Sequence, residues 1–202
     1  MKKLLFTAVL TIFCLAASAQ EAGSFRFGVT GGGNLSTANL DASHSSKFGF
    51  HAGVIGEYNV YEYLYINATL KYSMRGVKDV DFYDYKFEWN PGYIEIPLHV
   101  GYRYSVSDEF KLFVDAGPYF AYAVSGKIKA NDGSDADLFS DTASRVLGGK
   151  YNRFEFGLGG ALGFEYSGVQ LKVGYDYGLT KVCDMNNSAK NSNFFFGLAY
   201  MF

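Results

Sequence analysis

Residues 193–202 read NFFFGLAYMF. Phe194, Phe196, Leu198, Tyr200 and Phe202 fall on one face of a period-two pattern, and Phe195, Gly197, Ala199 and Met201 on the other. At ~3.3 Å per residue such a strand is long enough to cross a bilayer core at a tilt of ~45°. Left as a free edge, a strand this apolar would recruit other chains. Closure removes the edge, and the natural partner is the first strand, Phe25 to Asn34. The stretch therefore points to a transmembrane β-barrel.

The rest of the chain carries the same pattern. Eight period-two segments are expected: Phe25–Asn34, Lys47–Tyr58, Tyr63–Arg75, Gly92–Tyr104, Phe110–Ser125, Asn152–Tyr166, Val169–Thr180 and Asn193–Phe202. The connections alternate long and short, as in an all-β, eight-stranded antiparallel up-and-down barrel with short periplasmic turns, longer extracellular loops and periplasmic termini. Tyr58, Tyr102, Tyr104, Phe164, Tyr166, Tyr200 and Phe202 gather at the short-turn ends, where they would form an interfacial girdle. A soluble ligand-binding barrel would invert this pattern, with apolar residues inside. The many large aromatics on the apolar face exceed what an eight-stranded interior can hold, and the polar face is rich in glycine. Both features favour the membrane.

The N-terminus fits export. Lys2 and Lys3 precede an apolar run from Leu4 to Ala16, and Ala17-Ser18-Ala19 reads as a cleavage site before Gln20. Residues 1–19 are expected to be a signal peptide and residues 20–202 the barrel domain. Cys14 follows bulky Phe13 rather than a small residue, so it is expected to leave with the signal. Loss of Lys2 and Lys3 takes the formal charge from −2 to −4, which argues against a nucleic-acid partner. Cys183 is then the remaining cysteine and no internal disulfide framework exists.

The residues also resemble a known group, the small outer-membrane β-barrel proteins of the PorT-like and OmpX-like kind. The likeness rests on FRFGVTGGGNLS near the start, YIEIPLHVGYRY in the fourth strand, GLGGALGFEY in the sixth and GYDYGLTKV before the last strand. It implies an eight-stranded barrel in the bacterial outer membrane. It also implies a terminal aromatic, here Phe202, read by the barrel-assembly machinery. Some relatives serve a protein-secretion apparatus. The resemblance supplies no catalytic residue and no cofactor.

Groups able to do chemistry lie in the lumen and the loops. The inward face carries seven basic residues, Arg26, Lys71, Arg75, Arg103, Lys111, Arg153 and Lys172, and six acidic ones, Glu57, Glu95, Asp115, Glu155, Glu165 and Asp176. An eight-stranded interior is just wide enough to be filled by side chains, so this near-balance predicts a lumen packed with ion pairs. A proton or small-ion path is the alternative. His51 and His99 point inward on separate strands, and Glu95 lies ~13 Å along the strand from His99, too far for a direct pair.

His44 sits among Ser43, Ser45 and Ser46, which admits a lipid-modifying hydrolase, but no carboxylate is placed to orient the histidine. Asp132, Gly133, Asp135, Asp137 and Asp141 miss the spacing of a calcium loop and read as a solvated acidic loop. The segment VKDVDFYDYKFEWNP, residues 77–91, partly alternates. Two readings stand level: an exposed interaction edge built on Phe82, Tyr83, Tyr85, Phe87 and Trp89, or a hairpin packed on its own barrel. The expected function is non-enzymatic: envelope integrity, adhesion, or membership of a larger assembly with an envelope or extracellular protein partner. A narrow passive pore is a further class. Outer-membrane lipid is the expected surroundings.

Overall fold

The computed structural model describes residues 23–38, 45–82, 85–130, 135–147, 149–182 and 190–202. The expected signal peptide, His44, Asp132, Gly133, Tyr83 and Cys183 lie outside the described residues. The strands are β1 (Phe25–Ala38), β2 (Ser45–Asn59), β3 (Leu64–Met74), β4 (Val77–Phe82), β5 (Tyr85–Trp89), β6 (Gly92–Ser105), β7 (Phe110–Ser125), β8 (Lys127–Ala130), β9 (Asp135–Asp137), β10 (Phe154–Tyr166), β11 (Val169–Gly178) and β12 (Asn191–Met201). One short helix, α1, spans Asp141–Leu147.

Eight of these strands close into a barrel in the order β1-β12-β11-β10-β7-β6-β3-β2, and β1 pairs with β2 to seal it. Every neighbouring pair is antiparallel, and Val29 of β1 sits opposite Tyr200 on one side and Val54 on the other. The last stretch of the chain is thus joined along its whole length to the first strand. Strand ends differ from expectation by a few residues. β1 runs on to Ala38, β2 starts at Ser45, β12 starts at Asn191, β10 starts only at Phe154, and β11 stops at Gly178.

The alternation has the membrane sense. Phe48, Val54, Leu70, Leu158, Leu162 and Leu198 point outward and are each at least half exposed. Arg26, Glu57, Lys71, Glu95, Arg103 and Asp115 point inward and are buried. Aliphatic residues fill the middle of the outer face. Aromatics ring both margins: Tyr58, Tyr102, Tyr166 and Tyr200 near the short turns, and Phe48, Tyr122, Phe154 and Phe194 near the long loops. The second ring goes beyond the single girdle expected from the sequence.

Inside, large rings need small neighbours. A side chain at Gly101 would collide with the Tyr65 ring, and one at Gly157 with the Tyr119 ring. That is why the polar face carries so much glycine. Between β10 and β11, Ser167 and Gly168 both have positive φ, 46° and 83°. This is the turn whose twist suits a two-residue hairpin.

The long loops build a second sheet. The tip of β2 pairs with β4 (Ser45 opposite Lys78), β4 forms a hairpin with β5, β5 pairs with β8, and β8 pairs with β9. One face of this sheet is apolar. Val77, Trp89 and Ile128 join Leu138, Ala143 of α1 and Val182 in one buried cluster with Tyr93, Tyr119 and Tyr151. Those tyrosines include inward-facing residues of β6 and β7, so the loop sheet is packed onto the barrel mouth. Ser140 caps α1 by accepting the Ala143 amide at 3.2 Å.

At Trp89 and Phe87 the structure has the packed hairpin rather than the exposed edge, and the loop sheet forms a lid on the barrel. Trp89 is only 6% exposed, so it belongs to the lid's core rather than to an open edge. Phe87 packs against the same cluster. The physical reason is that β5 is flanked on both sides, by β4 and β8, and lays its apolar face on the barrel. Phe82 and Tyr85 are backbone register partners at the tip of the β4–β5 hairpin.

Candidate functional site

The inward charges fall into layers. Nearest the long loops, Arg75 leaves the end of β3 and enters the lumen with its side chain 1% exposed. It pairs with Glu155 at 3.0 Å and Asp176 at 3.1 Å, and also contacts Glu95. The guanidinium plane lies 5.2 Å from the Tyr119 ring centre and 5.8 Å from that of Tyr93. Lys71 adds an ion pair to Glu95 at 2.8 Å. The carboxylates are held in turn: the Tyr119 hydroxyl donates to Glu155 at 2.6 Å, Asn193 donates to Asp176 at 3.2 Å, and Asn191 donates to Glu155. Tyr93 and Tyr151 share a hydroxyl contact of 2.6 Å beneath the lid.

The middle layer centres on Asp115. It accepts from Tyr65 at 3.0 Å and Asn67 at 3.2 Å, and its other oxygen lies 2.7 Å from His99 Nδ1. His51 Nδ1 lies 2.8 Å from Asn34 Oδ1. These partners are far apart in sequence. Lys172 has no ion pair within 4.0 Å among the described residues, and it lines a cavity of about 30 Å³ together with His51, His99 and Asp115. That space suits one or two water-sized groups and nothing larger.

At the short-turn end, Arg26 bridges Glu57 at 3.3 Å and Glu165 at 2.6 Å. Arg103 reaches both oxygens of Glu57 at 2.7 Å and stacks 4.3 Å from the Tyr65 ring centre. Gln170 donates to the second oxygen of Glu165 at 2.9 Å. Lys111 is 4% exposed and has no ion pair among the described residues.

Arg153 does not join the lumen. It shares its parity with Glu155, but the strand begins only at Phe154, so Arg153 sits above the rim. Its guanidinium lies 3.6 Å from the Phe139 ring centre and donates to the Ala123 carbonyl at 3.2 Å. Removing it from the count leaves six cations, Arg26, Lys71, Arg75, Arg103, Lys111 and Lys172, against six carboxylates, Glu57, Glu95, Asp115, Glu155, Glu165 and Asp176. The lumen is therefore neutral when both histidines are neutral. Neutrality and mutual hydrogen bonding are what a low-dielectric interior requires of buried charge.

The loops offer less chemistry. Ser45 and Ser46 belong to β2, Asp135 and Asp137 to β9, and Asp141 opens α1. Among the described residues no three His, Cys, Asp or Glu side chains converge as a metal site. On the outer face of the lid Lys47 of β2 pairs with Glu88 of β5, and Asn90 donates to the same carboxylate at 2.9 Å. Burial opposes ionisation of Glu88, but the hydrogen bonds from Lys47 and Asn90 outweigh it and hold the carboxyl below its ordinary range.

The family match agrees with this architecture. A family described as the outer membrane protein beta-barrel domain matches residues 17–184. Among solved structures, the chain is similar to Neisserial surface protein A at 15% identity, over 88% of this chain and 97% of that one, with a TM-score of 0.47. It is similar to Ail, the attachment invasion locus protein of Yersinia pestis, at 13% identity over 90% and 99%, with a TM-score of 0.44. It is similar to OprG from Pseudomonas aeruginosa at 15% identity over 92% and 99%, with a TM-score of 0.48. No curated protein sequence matches the chain.

Proposed function

The chain belongs to the outer membrane protein beta-barrel domain family of the bacterial outer membrane, and from that premise we propose that it is a sealed, non-enzymatic barrel whose work is done by its loop-built lid. The lid would face the cell exterior and contact an envelope or extracellular protein, in adhesion or as part of a larger assembly. The short turns and both termini would face the periplasm, with Phe202 as the terminal aromatic read by the assembly machinery. The observation that carries this reading is the pairing of a neutral, hydrogen-bonded lumen with a second sheet of β4, β5, β8 and β9 that has its own apolar core. A barrel built for passage leaves its interior open. This one spends its longest loops on a folded platform.

The test compares the wild type with a variant in which residues 78–88 are replaced by a short Gly-Ser turn. Gentle detergent extraction, native sizing and identification of co-migrating proteins are run beside a cell-adhesion assay. A complex or an adhesion phenotype that disappears in the variant supports the proposal, provided the variant still shows a heat-modifiable barrel band. Monomeric behaviour together with unchanged adhesion overturns it. Steady single-channel conductance in planar bilayers would instead favour the passive pore.

A further inference from the structure

The short-turn mouth contains a vestibule of about 380 Å³ lined by Asn59, Glu62, Arg103, Ser105, Asp108 and Lys111. That size falls among small-ligand clefts, ~300–1,000 Å³. The charges around it are unequal. Arg26, Arg103 and Lys111 face only two buried carboxylates, Glu57 and Glu165. All four oxygens of those carboxylates are already taken. Glu57 receives Arg26 on one oxygen and Arg103 on both; Glu165 receives Arg26 on one and Gln170 on the other.

Lys111 is the surplus. It stands opposite Glu165 in the β7–β10 register, yet no ion pair joins them. Its side chain is buried, and it contributes to the vestibule wall beside Arg103, whose Nε is also unpartnered. Its ammonium is open to the vestibule, and an anion arriving from that side would gain a charge-assisted hydrogen bond from it.

We propose that this vestibule binds a monovalent carboxylate, with Lys111 supplying the charge and Ser105 a second donor. The buried groups there carry one net positive charge, which suits a monoanion. The rim carboxylates of Glu62 and Asp108 disfavour a dianion such as phosphate. The carboxylate comes either from a free short-chain acid or from the C-terminus of a peptide. The site lies at the end of the barrel opposite the lid. That the ligand arrives from the periplasm rests on the orientation proposed above.

The test uses the full mature chain folded in detergent micelles and titrated by calorimetry with acetate, N-acetyl-trialanine, its C-terminal amide and inorganic phosphate. The trialanine acid should bind and the amide should not. Acetate binding as tightly as the trialanine acid assigns the site to free acids; weaker acetate binding assigns it to peptide termini. Lys111→Gln should weaken binding about tenfold, the scale of one charge-assisted hydrogen bond. Exposed Asp108→Asn cannot disturb the lumen and should strengthen binding about threefold by removing rim repulsion. Equal binding of acid and amide, no effect of either variant, or tighter binding of phosphate would overturn the proposal. In a Cys183→Ser background, labelling of Ser107→Cys by an impermeant maleimide in intact cells would overturn the orientation alone and leave the micelle titration standing.

Discussion

At the long-loop end, Arg75 is enclosed by Glu95, Glu155 and Asp176 beneath a cluster containing Trp89, Ile128 and Leu138. At the short-turn end, Arg26 bridges Glu57 and Glu165 and Arg103 holds Glu57 beside an open vestibule, and Lys111 has no ion pair among the described residues. The two ends use the same residue types under different access to water. Beneath an apolar lid, the arginine is matched by carboxylates, tyrosines and asparagines from several strands. Beside open solvent, an unmatched ammonium is tolerated because water can reach it. Between these two ends, pairing is closer under the lid, where water is excluded.

The largest way to break the comparison is Arg75→Met. It leaves three buried carboxylates without their shared cation, and stability should fall by about 3–5 kcal/mol, read from the denaturant midpoint of the heat-modifiable band. Trp89→Ala attacks the lid instead. It should cost about 3 kcal/mol of local packing, seen as protease cleavage within residues 78–90 while the barrel midpoint stays unchanged. A shared shift of lid and barrel would mean that the two are one cooperative unit.

Arg103→Lys at the open end should cost only about 1–2 kcal/mol. It loses the two-oxygen contact with Glu57, but the lysine stays charged and solvent is near. A loss equal to that of Arg75→Met would erase the distinction between the ends. The smallest effect belongs to the solvent-facing side of the lid. Glu88 has its carboxyl held below the usual range, so its contribution is present above the unfolded value of ~4.3 and is lost as pH falls through the folded value. Glu88→Gln should change stability by less than about 1 kcal/mol at neutral pH and by nothing once both forms are uncharged, measured as lid protease resistance against pH.

Much of the fold was legible because alternation is local. Each residue of NFFFGLAYMF declares its face by parity, and long and short connections declare the hairpins. The lumen residues were legible in the same way, as a set. Their partners were not. Arg26 meets Glu165 across 139 residues of sequence and Arg75 meets Asp176 across 101. Arg153 shows where parity misleads: it has the right phase, but the strand has not yet begun, and the side chain turns to Phe139 instead. His99 found its carboxylate on the neighbouring strand, in Asp115, rather than in Glu95 of its own strand.

The second loop marks the same boundary. Its partial alternation allowed a hairpin, and a hairpin formed. Whether its aromatics would stay open or be covered depended on β8 and α1, which arrive about forty and about fifty residues later in the chain. By itself the sequence determined the strands, their faces and the closure of the barrel, since these follow from period-two patterning and from the need to leave no edge in a membrane. Only the tertiary structure decided which charges meet, that Trp89 is buried and that Lys111 has no ion pair among the described residues. Those outcomes depend on register and closure across the whole ring, and no local stretch of sequence contains them.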